Sequence, residues 1–136
     1  MRKLFFLFPL LFGLACAPHR PRLEEPLPNV NFKLIFYEVV EQPEDDAPCY
    51  AAVFVDGVLE GRSQTGPKSQ AKNWQGLLSE GNHLMRFEIW DIVSGAESRR
   101  AQDIQPRERF VRVDPGMKTT VSLKFFDKGR EHTYDI

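Results

Sequence analysis

Cysteine and histidine are scarce in this chain: two and three among 136 residues. His19, His83 and His132 lie far apart, none at metal-ligand spacing, and no Cys/His cluster exists, so no metal site is expected. The sequence has no nucleophile-elbow serine motif, no P-loop and no dinucleotide fingerprint, so it offers no motif for catalysis or for a bound cofactor. The one acidic cluster, Asp45 and Asp46 with Glu41 and Glu44, lacks the alternating oxygens and the glycine bend of a calcium loop. Net charge is −1, which argues against a nucleic-acid binder. No apolar run is long enough to span a bilayer. The longest, residues 4–14, would rise only about 16 Å as a helix, against a hydrocarbon core of about 30 Å.

Apolar volume is plentiful. Hydrophobic residues make up 42 % of the chain, with eleven Phe, three Tyr and two Trp, enough for one core and one domain. The charge is unevenly spread. Acids dominate from Arg20 to Glu60 and bases from Arg99 to Arg130. The plain expectation is complementary solvent faces on neighbouring strands. The functional alternative is a basic patch that meets an acidic partner or lipid headgroups.

The N-terminus carries the most specific signal. Met1-Arg2-Lys3 is a short positive stretch, and residues 4–14 contain five Leu and four Phe without a charge. That is the layout of a secretory signal. Gly13-Leu14-Ala15-Cys16 follows, and this sequence resembles the lipobox of bacterial lipoproteins, with Gly13 and Leu14 in the reverse of the commonest order. The resemblance implies a diacylglyceryl group on the Cys16 thiol, cleavage between Ala15 and Cys16, and acylation of the new amine. Ala17 stands where an Asp would favour inner-membrane retention in enteric-type bacteria, so the resemblance implies an outer-membrane protein facing the periplasm. Two or three acyl chains anchor stably where one does not. The alternative is an ordinary signal peptide cut near Ala15 or Ala17. With Cys16 lipidated, Cys49 has no intramolecular partner, and its apolar neighbours predict burial.

Three segments follow from this reading: a signal peptide at 1–15, a lipidated cysteine with a proline-rich tether at 16–29, and a β domain at 30–136. Pro18, Pro21, Pro26 and Pro28 favour extended polyproline II, so residues 17–29 could hold the domain roughly 40 Å from the lipid. Beyond them, period-two alternation predicts strands at 30–40, 50–56, 58–62, 83–91, 107–113, 117–126 and 130–136. Asp56-Gly57 is a hairpin signal. Residues 63–71 and the stretch after Ser94-Gly95 read as loops. Residues 72–78 are predicted as a strand, although Ala71, Trp74, Leu77 and Leu78 also fit a helical stripe. Met85, Phe87 and Ile89 should face the core. Seven to eight short strands predict an all-β, antiparallel β-sandwich of immunoglobulin-like or transthyretin-like type.

The turn residues resemble PEGA-type β-sandwich repeats: Val53-Phe54-Val55-Asp56-Gly57, Glu60-Gly61, Leu77-Leu78-Ser79-Glu80-Gly81-Asn82-His83, and Val111-Arg112-Val113-Asp114-Pro115-Gly116. The Pro-Glu-Gly-Ala element itself is absent. The resemblance implies an envelope module with no chemistry of its own. The function expected is therefore a non-enzymatic, membrane-anchored envelope lipoprotein that binds another protein. The alternative is a carbohydrate- or peptidoglycan-binding module using Trp74, Trp90 or Tyr50 as stacking surfaces, although tryptophans beside apolar neighbours more often pack in cores.

Overall fold

The structure, a computed structural model, describes residues 30–136. The signal peptide, the cleavage site at Ala15, the lipidation site at Cys16 and the tether lie outside the described residues. Among the described residues no helix is long and apolar enough to cross a membrane.

The described chain is all-β, two facing sheets built from ten strands. These are β1 (Phe32–Glu38), β2 (Pro48–Val55), β3 (Val58–Arg62), β4 (Gly66–Pro67), β5 (Lys72–Gly76), β6 (Gly81–Val93), β7 (Ala96–Arg99), β8 (Arg109–Val113), β9 (Thr119–Phe126) and β10 (Glu131–Asp135). The smaller sheet runs β10-β9-β1-β5. In the larger sheet β2 and β6 lie side by side at the centre; β3 and β4 share the outer side of β2, and β7 and β8 share the outer side of β6. The pairing is antiparallel except between β1 and β9, which run parallel. The sandwich expected from the sequence is therefore present, with one parallel pair joining an early strand to a late one.

Alternation builds the core. Phe32, Leu34 and Phe36 of β1 and Val121, Leu123 and Phe125 of β9 line the inner face of the small sheet. Ala51, Val53 and Val55 of β2, Met85, Phe87 and Ile89 of β6, and Val111 and Val113 of β8 face them from the other. Each large side chain buried here contributes about 1.5–3 kcal/mol. Residues 72–78 are a strand as far as Gly76. Leu78 then turns inward because the Asn31 side chain clamps its backbone, accepting from Leu78 N at 2.8 Å and donating to its carbonyl at 2.7 Å.

Two strands arise where loops were expected. Gly66–Pro67 pairs with the start of β2 over two residues, too few to show a period. Ala96–Arg99 is exposed along its whole length, so no apolar residue marks it. What creates it is the Ser94-Gly95 turn, with φ of 51° and 78°, the left-handed pair of a two-residue hairpin. Asp56 and Gly57 (φ 50° and 84°) make the same turn between β2 and β3.

The Asp56 carboxylate also ties that hairpin to β6. One oxygen accepts from Leu84 N at 2.9 Å, and the other meets His83 Nδ1 at 2.7 Å. His83 Nε2 reaches the Ser79 carbonyl at 2.7 Å. Both ring nitrogens face acceptors, so the geometry favours imidazolium. The hydrogen bond to Asp56, then that to Ser79, raises the His83 pKa, and the same His83 bond lowers that of Asp56. The His83 contribution to stability is complete below its unfolded value of about 6.5 and is lost as pH rises through the higher folded value. The Asp56 contribution is present above about 3.9 and is lost as pH falls through the lower folded value. Urea denaturation at pH 5.5 and 8.5 should show a loss of stability at the higher pH that His83→Gln abolishes. An equal loss in the variant would refute the clamp.

Candidate interaction face

The outer face of the large sheet is aromatic and arginine-rich. The Tyr50 and Trp90 rings stand side by side across β2 and β6, 6.3 Å apart and within 1° of parallel. Arg62 of β3 covers the Tyr50 ring at 5.0 Å and pairs with Glu97 of β7 at 3.4 Å, leaving Tyr50 only 6 % exposed. Burial, and then the Glu97 carboxylate, push the Tyr50 phenol up. Two rows along, past Ala52 and Glu88, the Arg86 guanidinium lies 3.8 Å over the Phe54 ring. Arg86 also pairs with Glu88 and, at 3.5 Å, with Glu108, while Arg99 reaches Glu88 at 3.2 Å.

Trp74 lies elsewhere. It packs against Phe32 from β5, with ring centroids 6.1 Å apart, and a Cβ on Gly61 or Gly76 would collide with its indole. Of the three aromatic residues singled out in the sequence, Tyr50 and Trp90 are together and Trp74 is on the other sheet.

Strand β8 is one edge of this face among the described residues, with the Arg112 carbonyl capped by Thr119 Oγ1 at 3.2 Å. Leu84 N–H and C=O both point to Asp56, on the β2 side of β6. Leu84 is therefore a non-hydrogen-bonded partner of Phe110, and the ladder bonds fall at His83↔Val111 and Met85↔Arg109. The same alternation turns the Phe110 N–H and C=O outward, off the sheet. Its side chain shares the outer face and is 73 % exposed. The strand expected at 107–113 has Phe110 next to Val111, which leaves open the face that Phe110 takes. The alternation Glu108, Phe110, Arg112 contained the answer, since Val111 and Val113 are the buried pair.

Between β7 and β8 the edge of β6 has no strand partner among the described residues. A side chain substitutes there: Gln105 Oε1 accepts from Ile89 N at 2.8 Å, and its Nε2 donates to the Ile89 and Arg100 carbonyls, each at 3.1 Å. Beside it opens a crevice of about 260 Å³ bordered by Arg86, Arg99, Arg107, Glu88 and Glu108.

At the other end of β6 is a buried ionic network. Arg100 Nη2 donates to Glu38 at 2.7 Å and to Asp91 at 2.9 Å, and Nε donates to Asp91 at 2.9 Å. Lys68 adds a pair to Asp91 at 3.7 Å. Burial opposes the Arg100 charge, but the two carboxylates more than offset it, so its pKa is raised. Glu38 and Lys68 also border a cleft of about 160 Å³ with Asp45 and Lys128, which pair at 3.1 Å. The acidic early half and basic late half therefore meet across the two sheets at Glu38–Arg100 and between connecting segments at Asp45–Lys128. Asp46 is committed too, accepting from Ser69 N at 2.8 Å and Ser69 Oγ at 2.6 Å.

Cys49 is buried, as its neighbours predicted, and burial raises its thiol pKa. Nearby, Lys72 directs its ammonium at the carbonyls of Pro67, Lys68 and Gln70, which uses its three donors and closes the loop before β5. His132 stacks on Phe125, 5.7 Å between ring centroids, on the opposite sheet edge. Among the described residues no group of three His, Cys, Asp or Glu is placed to hold a metal ion. Compared with known proteins, the chain matches no family model, no curated protein and no solved structure.

Proposed function

We propose that this chain is a lipid-anchored, non-enzymatic protein of the bacterial envelope whose β-sandwich docks another protein. The anchor rests on the sequence: the apolar run 4–14 followed by Gly13-Leu14-Ala15-Cys16. The outer membrane, facing the periplasm, is the location that Ala17 after the cysteine favours. The docking role rests on one observation, the exposed Phe110 on a strand edge whose main chain points outward. Exposed edge strands are ready templates for a further strand, and proteins that do not use them generally block them. A large aromatic beside such an edge supplies the apolar anchor that interfaces favour.

The test is recovery of a partner from detergent-solubilised membranes with the full-length chain as bait. A stoichiometric partner is expected, and Phe110→Ser should reduce its recovery at least about tenfold, the equivalent of 1.4 kcal/mol. Recovery of no partner, or full recovery by the Phe110→Ser protein, would count against the docking role. Glycan binding through Trp90 is the competing role. It predicts a shift or quenching of tryptophan fluorescence on adding peptidoglycan fragments, which the docking role does not.

A further inference from the structure

Arginines outnumber carboxylates around the edge strand β8. Arg107, Arg109 and Arg112 are carried on or just before it, and Arg86 and Arg99 stand beside it on β6 and β7. The neighbouring carboxylates are Glu88, Glu108 and Asp114. Glu88 is buried and held between Arg86 and Arg99. Asp114 takes Arg112 at 2.6 Å, and Arg109 lies over the Tyr134 ring at 4.6 Å. Arg107, at the mouth of the crevice, has no ion-pair partner among the described residues. On β10 of the smaller sheet, burial and then Arg109 and Arg107 lower the His132 pKa.

We propose that β8 is the docking strand for an extended, acidic segment of a partner protein, which pairs with the free edge at Phe110 and places a carboxylate in the crevice beside Arg107. This names the partner chemistry for the docking role above and rests on it. Main-chain pairing alone is indifferent to sequence, so the side chains at the edge set the choice. Here they offer one exposed aromatic and an excess of guanidinium groups, which bind carboxylates in a planar, bidentate geometry. A strand added to β8 would run past the crevice, because the β6–β8 ladder stops at Met85↔Arg109 and the crevice begins there.

The test is photo-crosslinking in native membranes with the full-length chain carrying p-benzoylphenylalanine in place of Phe110, or of Leu59 on the opposite edge strand β3. An adduct is expected from position 110. Its crosslinked peptide should come from another protein and carry Asp or Glu. Arg107→Glu should lower the yield about tenfold. Arg112→Glu should lower it too, and Arg130→Glu, an exposed position just before β10 in the smaller sheet, should leave it within about twofold. An adduct from position 59 and none from 110 would overturn this assignment while leaving the docking role standing. So would an adduct at 110 whose peptide is neutral or basic, or comes from a second copy or from residues 17–29 of the same chain, or a yield that ignores Arg107→Glu. No adduct from either edge would overturn the docking role as well.

Discussion

Arg100→Met is expected to remove about 3–5 kcal/mol of folding stability, a large part of the roughly 5–15 kcal/mol that a domain of this size possesses. The arginine and Glu38 side chains are 3 % and 4 % exposed, and Asp91 is 18 % exposed. Methionine fills similar space but leaves two carboxylates facing each other, with Lys68 at 3.7 Å from Asp91 as the remaining cation of the network. Stranding a buried charge costs more than the pair itself contributes, because the charge has lost water and gained nothing. The double variant Glu38→Gln, Arg100→Met removes one stranded charge and should recover part of the loss. Gly129 covers this network at φ 81°, and a Cβ there would lie 2.5 Å from Arg100 Nη1, so the roof tolerates only glycine. Urea denaturation followed by tryptophan fluorescence reads both variants. A loss below about 1 kcal/mol for Arg100→Met would show that the network contributes no more than an exposed ion pair.

Gln105→Leu is the second large expected effect, about 2–4 kcal/mol. The buried amide serves three main-chain groups, Ile89 N–H, Ile89 C=O and Arg100 C=O. It stands in for the strand that β6 lacks between β7 and β8. Leucine keeps most of the volume and strands those groups; the Ile89 carbonyl keeps its bond from Arg100 N at 3.0 Å, so the Ile89 N–H suffers most. An unsatisfied buried donor or acceptor costs about 1–3 kcal/mol. Hydrogen exchange at Ile89 should accelerate beyond the change in global stability, because the opening is local. The exposed Gln102→Leu should shift stability by less than about 0.5 kcal/mol. Equal effects at 102 and 105 would mean that the amide is not acting as main chain.

The alternation along residues 83–91 made β6 legible from sequence, because Met85, Phe87 and Ile89 recur at every second position with polar residues between them. Asp56-Gly57 made the first hairpin legible for the same local reason. Strand β7 was illegible. Both its faces are wet, and Ala96–Arg99 has no period to read. The parallel β1–β9 pair was equally hidden, since nothing local distinguishes a strand that pairs with its neighbour from one that pairs across the whole domain. The ionic network joins Glu38 and Arg100, 62 residues apart, and only the broad acid-to-base gradient along the chain hinted at it. At the interaction face, Tyr50 and Trp90 were picked out as large aromatics, but their stacking depends on the β2–β6 register. Phe110 was readable in principle, from the alternation that buries Val111 and Val113.

The proposed tethering of the sandwich to a membrane depends on Cys16 as a lipid attachment site. Mass spectrometry of the mature N-terminus, combined with detergent phase partitioning, tests it most directly. The expected chain begins at position 16 with a diacylglyceryl adduct, partitions into the detergent phase, and becomes aqueous or unprocessed in the Cys16→Ser protein. A mature chain of unmodified mass, or a Cys16→Ser protein that is still cut and still partitions with detergent, would contradict it.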